Sequence, residues 1–220
     1  MENIIEKTPC RLLLVEGQDE IRFFTALAEE LGISDALQIV CFQDKNGNLR
    51  QTLIRLALDP KRNELVSLGI VRDAEYNTNA LDSVCGAIRT INGKYPTSKL
   101  PIPDEEITPA DDDLKVSVMI LPGAGFEGML EDLILNAYQR DSAMACVDRY
   151  FECLEEQNIN VIKERVPKNR MRVFLASKMV SLSKSKKDHW MGDIYRRDWW
   201  SWEHTEFNPA KSFLQDLATI

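Results

Sequence analysis

The chain is poor in histidine, has no paired-cysteine spacing and carries no long apolar run, and each absence removes a class of function. Its two histidines, His189 and His204, are too widely separated to be read as metal ligands. The five cysteines are odd in number and none are spaced C-x-x-C, so neither a disulfide framework nor a zinc site is expected. Cys41, Cys85 and Cys146 sit within apolar runs, where buried free thiols are common, and a reducing cytoplasm is the expected compartment. No stretch approaches the roughly 18 apolar residues of a membrane span. The acidic start (Met1, Glu2, Glu6) lacks the basic-then-apolar order of a signal or transit peptide. There is no internal repeat and no Walker-type glycine-rich loop. With 10 glycines and 9 prolines, a collagen-like chain is excluded as well.

What is present is enough for a real core: 220 residues, 44% of them hydrophobic, suit one large domain or two small ones. The formal charge of −8 argues by itself against a protein that coats nucleic acid. The mean conceals a segregation. Residues 163–187 hold nine basic side chains (Lys163, Arg165, Lys168, Arg170, Arg172, Lys178, Lys184, Lys186, Lys187) and one acid, Glu164, a local charge of +8 that leaves −16 on the remainder.

Along the first 136 residues, strand and helix patterns alternate. Short continuous apolar runs at 11–15, 37–42, 65–71 and 116–121 read as strands buried on both faces. Between and after them, apolar residues at helical spacing predict helices near 19–31, 49–57, 80–91 and 128–138. Such alternation predicts parallel strands joined by right-handed crossovers, an α/β layered domain. Residues 92–114 interrupt the pattern with four prolines and Asp111, Asp112 and Asp113, and are read as a flexible insertion. From 139 to 220 the pattern turns helical, with all four tryptophans (Trp190, Trp199, Trp200, Trp202) close together, as a small helical extension or a cover over the sheet.

Three acidic groups fall just beyond the carboxyl ends of strands, where an open parallel sheet places its chemistry. Glu16, Gly17, Gln18, Asp19 and Glu20 follow the first strand, Asp73 and Glu75 the third, and Glu127, Glu131 and Asp132 the fourth. If the first and third strands are neighbours where strand order reverses, Glu16 and Asp73 converge, and an extended segment would point Asp73 and Glu75 the same way. Clustered carboxylates suit Mg²⁺ or Mn²⁺. Asp132 reads as a first-turn acid complementing a helix dipole, while Glu127 and Glu131 stand equally as dipole partners or ligands.

At these residues the sequence resembles a TOPRIM domain, over about residues 8–138. More closely, the whole chain resembles a family of small, stand-alone, uncharacterised prokaryotic TOPRIM-like proteins related to OLD-type nucleases. The matching segments are Leu12-Leu13-Leu14-Val15-Glu16-Gly17, Val71-Arg72-Asp73-Ala74-Glu75, and Leu121-Pro122 through Gly128-Met129-Leu130-Glu131-Asp132-Leu133. The resemblance implies a Rossmann-like three-layer fold with about four parallel strands. It implies Glu16 as catalytic acid/base and metal ligand, Asp73 and Glu75 as Mg²⁺ ligands, and Glu20 as part of a second metal position. Glu75 stands where the family has a second aspartate.

The expected activity is Mg²⁺- or Mn²⁺-dependent cleavage of nucleic-acid phosphodiester bonds, a nuclease of defence or repair. The alternative is a non-catalytic TOPRIM-like module that binds a metal or a partner. Lys178, Lys184, Lys186 and Lys187 are the candidate nucleic-acid contacts, weighed evenly against a role pairing with the chain's own acids. The expected partner is DNA or RNA, with a second copy of the chain or another protein as the other reading, and no membrane.

Overall fold

A computed structural model describes residues 4–43, 48–108, 110–111, 114–123, 125–160, 162, 165–181 and 201–219. Five strands form one sheet: β1 (Cys10–Val15), β2 (Gln38–Cys41), β3 (Leu65–Asp73), β4 (Ala110–Asp111) and β5 (Lys115–Leu121), in the order β2-β1-β3-β5-β4. The first four in that order are parallel, and β4 is a two-residue antiparallel edge. The chain leaves β1 toward β2 on one side and returns to pair β3 on the other. The sheet therefore reverses direction between β1 and β3, and the carboxyl ends of those two strands form a switch-point crevice.

Side-chain alternation on these strands builds two separate apolar layers. Leu13, Val15, Val71, Met119 and Leu121 face α1 (Gln18–Glu30), α4 (Leu130–Ala137), α5 (Ser142–Glu156), α6 (Val166–Ser181) and α7 (Asn208–Ala218). Leu12, Leu14, Leu68, Ile70, Val118 and Ile120 face α2 (Leu49–Ala57) and α3 (Ala80–Lys94). The result is the α/β layering expected from the alternating pattern, in the three-layer, Rossmann-like form that the resemblance implies. Among the described residues no helix is long and apolar enough to cross a membrane.

The C-terminal helices share the core of the sheet. Phe213, Leu214 and Leu217 of α7 are fully buried, and the hydroxyl of Ser67 on β3 donates to the Leu217 carbonyl at 2.8 Å. Trp202 packs between Phe23 of α1 and Phe207, with ring centroids 5.5 Å from each. Trp190, Trp199 and Trp200 lie outside the described residues. The long connection after α3 is fastened at several points. Asn92 clamps Leu100 through both its amide atoms at 2.8 Å, and the Ile107 N–H donates to the Val118 carbonyl at 2.7 Å. Cys146 departs from expectation. It faces solvent on α5, because the inward positions of that helix are taken by Met144, Val147 and Phe151.

Gly69 marks the tightest point of the α7 contact: a Cβ there would lie 2.9 Å from Leu217 Cδ2 and 3.0 Å from both Leu13 Cδ1 and Phe213 Cζ. Three crowding atoms from β1 and α7 leave little room to relax. Gly69→Ala should therefore destabilise the fold by about 1–3 kcal/mol, read as a lower urea midpoint at unchanged slope.

Candidate functional site

The carboxyl ends of β1 and β3 bring their acids together by simple adjacency. The Asp73 N–H donates to Glu16 Oε2 at 3.2 Å, so the two acid-bearing segments are joined directly. Asp73 ends β3 on the α1/α4 face of the sheet, and its Oδ1 accepts from the Leu130 N–H at 3.1 Å, at the first residue of α4. Helix N-termini leave N–H groups without helical acceptors, and a carboxylate satisfies one of them here.

Two further carboxylates reach the same place from helix N-termini. Glu20, in the first turn of α1, is buried and folds its carboxylate back beside the Gly17 backbone. Its Oε2 would lie 2.8 Å from a Cβ at position 17, so a side chain there would push the carboxylate out of this place. Glu131, in the first turn of α4, is buried and its Oε2 has no hydrogen-bond partner among the described residues. Asp132, one residue on, accepts the Met129 N–H at 2.9 Å and serves as the dipole-complementing cap expected of it. Gly128, at φ +132°, would place a Cβ 2.7 Å from that Asp132 oxygen and is required by both backbone and space.

The charges of the cluster are felt most at Asp73. Asp73, 8% exposed, is pushed well above the usual carboxylate range by burial and by the charges of Glu20, Glu16 and Glu131. Glu20, Glu16 and Glu131 are each raised, chiefly by burial. Glu131 adds to the rise at Glu20, and Glu75 to that at Glu16. The nearby cations are Arg72, which lowers Glu16, and Lys168 of α6, which lowers both Glu16 and Glu131. None of the four acids forms a salt bridge among the described residues.

The remaining candidates sit elsewhere. Glu75 does not share a face with Asp73: the chain turns at Glu75 (φ +52°), which pairs with Gly128 through mutual backbone hydrogen bonds at 2.7 and 2.8 Å and exposes its side chain. Glu127 is exposed. Lys178 pairs with Asp141 and lies over the Phe174 ring, while Arg170 pairs with Asp148, so these two cations of the basic stretch bind the protein's own acids. Lys184, Lys186 and Lys187 lie outside the described residues. Lys168 was not singled out as a site residue from the sequence; only the docking of α6 brings its charge near the cluster.

A family model described as a protein of unknown function, DUF3226, matches residues 10–219. The chain belongs to that family. No curated protein and no solved structure matches it. The family match covers both the sheet and the C-terminal helices, in keeping with the single shared core.

All-oxygen donors suit a hard divalent cation, and the partnerless Glu131 Oε2 is an atom such an ion would satisfy. Among the described residues, no three acids, histidines or cysteines are arranged as a ligand set for one ion. The donor chemistry thus fits a cation, while ligation by three side chains requires them to turn toward it.

Each of the four carboxyls titrates above its unfolded value, so the folded chain keeps protons that the unfolded chain releases above about pH 4–4.5. Stability from these groups is present below that range and is lost as pH rises toward their folded values. In EDTA, the Tm should fall between about pH 5 and about pH 8. Asp73→Asn, which keeps an oxygen for the Leu130 N–H, should raise Tm near pH 8 by roughly 2–4 °C, the effect of 1 kcal/mol in a chain of this size. It should also flatten the pH slope; melts of both proteins across that range check this.

Proposed function

We propose that this protein is a TOPRIM-type, Mg²⁺- or Mn²⁺-dependent enzyme that cleaves nucleic-acid phosphodiester bonds. The observation that carries the reading is the convergence of Glu16, Glu20, Asp73 and Glu131 at the β1/β3 switch point with no salt-bridge partner among the described residues. Glu16, Asp73, Glu20 and Glu131 would hold the ion. Bound there, a divalent cation supplies charge neutralisation and Lewis acidity toward a phosphoryl oxygen.

The chain's own groups do the rest. Glu16, raised by burial and lying at the mouth of the crevice, is suited to take and return a proton nearer neutral pH than an exposed glutamate would. Asp73 is held in place by the Leu130 N–H, so it needs no ordering when substrate arrives. Lys168, exposed on α6 with its charge felt at Glu16 and Glu131, offers a positive charge to a phosphate.

A second reading rests on a specific observation. Asp73 and Asp132 both accept N–H groups at the N-terminus of α4, which gives them structural work without any reaction. On that reading the protein is a non-catalytic TOPRIM-like module that binds a cation or a partner.

Incubation with single- and double-stranded DNA and RNA in Mg²⁺, Mn²⁺ or EDTA separates the two. Cleavage in metal but not EDTA, with Glu16→Gln and Asp73→Asn each slower by about 100-fold or more, supports the enzyme. A metal-dependent rise in Tm without cleavage of any substrate supports the binding module. Cleavage indifferent to both substitutions overturns the assignment of these residues.

A further inference from the structure

Glu16 has two neighbourhoods. On the α1/α4 side lies the carboxylate cluster; on the other side, toward α2 and α3, lies a cavity of about 420 Å³ that also contains Arg50 and Arg72. The alternation of β3 explains the division, since Asp73 faces one layer and Arg72, its neighbour, the other. Within the cavity the Arg72 guanidinium donates to the Ser83 hydroxyl at 2.9 Å. Neither Arg50 nor Arg72 forms a salt bridge among the described residues, and Gln43 and Asn48 add amide groups to the wall. Leu49 and Arg50 open α2, after Asn48, whose side chain accepts the Gln51 N–H at 3.1 Å.

We infer that this cavity is the subsite for a backbone phosphate of a nucleic-acid strand, next to the bond at the carboxylate cluster. Two guanidiniums without a salt bridge among the described residues, with hydroxyl and amide groups beside them, form a phosphate-recognition set, because the planar fork donates two parallel hydrogen bonds to an oxyanion. The size is that of a small-ligand pocket, with Phe42, Leu49 and Ala87 giving an apolar wall against which a sugar or base can rest. The placement also meets an electrostatic need. A phosphate approaching the four acids is repelled, and only a cationic subsite beside them holds the strand in register. This inference rests on the phosphodiester reading for its substrate, but the subsite acts in binding and its test needs no turnover.

The experiment is fluorescence anisotropy of a labelled single-stranded thymidine decamer in EDTA, with inorganic phosphate as a competing arm. Arg50 is exposed, so Arg50→Gln carries little folding risk. Expected are a loss of about fivefold or more in affinity for Arg50→Gln and for Arg72→Gln, and a larger loss for the double variant. The slope of log affinity against log salt should shrink by about 0.7 for each contact removed. Glu16→Gln should bind the decamer more tightly, and Arg149→Gln, on α5, should bind as wild type. No binding by the wild type overturns the inference. So does unchanged affinity and salt slope in both arginine variants, with melts confirming that they fold. Competition by phosphate alone, with no decamer bound at the arginines, assigns the cavity to a small anion and overturns the strand subsite. If the decamer binds through Arg50 and Arg72 but no metal supports cleavage, the subsite stands and the enzymatic reading fails; cleavage insensitive to both arginines is the reverse.

Discussion

Four carboxylates taken out of water beside one another repel, and burial alone costs each several kcal/mol when charged. That constraint organises the acidic end of the sheet. The structure offsets part of it with backbone N–H groups: Leu130 for Asp73 and the Asp73 N–H for Glu16. The first lies at the N-terminus of α4, and Glu20 folds back beside Gly17 at the start of α1, so both helices must begin at the crevice, and the loops that deliver them must be tight. Gly17 and Gly128 meet that need by leaving room for a returning carboxylate. What the N–H groups leave over appears as raised carboxyl pKa values and a partnerless Glu131 oxygen.

The remainder of the fold secures those positions. Parallel pairing of β1 with β3 aligns the ends that carry Glu16 and Asp73, and the same pairing sends successive side chains to opposite layers. Asp73 and Arg72 are adjacent in sequence yet serve different faces, one acidic and one cationic, with Glu16 between them. The C-terminal helices cover the acidic face. α7 seals β3 and β5 through Phe213, Leu217 and Gly69, and α6 carries Lys168 to the cluster while Arg170 and Lys178 hold α6 to α5 and to Asp141. The segregated charge of the sequence is thus in part internal: two of its basic residues pair within the chain.

Much of this was legible from residue order. Buried parallel strands announce themselves as unbroken apolar runs, and a strand followed by Glu-Gly or by Asp-Ala-Glu places acids at the carboxyl edge. The prediction for Glu16 and Asp73 needed only that β1 and β3 be neighbours, which they are. Glu75 was not legible, because an extended segment and a turn look alike over three residues and the left-handed φ at Glu75 comes from its pairing with Gly128. Cys146 was misjudged for a similar reason: an apolar neighbourhood in sequence is not a buried face on a helix whose other residues fill the core. Arg50 and Arg72 carried no signal, since they are far apart in the chain and share a cavity only through the sheet.

The sequence by itself determined the α/β class, the order of strands and helices, and which acids stand at strand ends, because these depend on local periodicity and short-range turn chemistry. Only the tertiary structure decided which acids meet, which face solvent, and which cations are spent on internal pairs. Those outcomes depend on strand order and helix docking, where groups from β1, β3, α1 and α4 meet at one crevice and their charges act across space instead of along the chain.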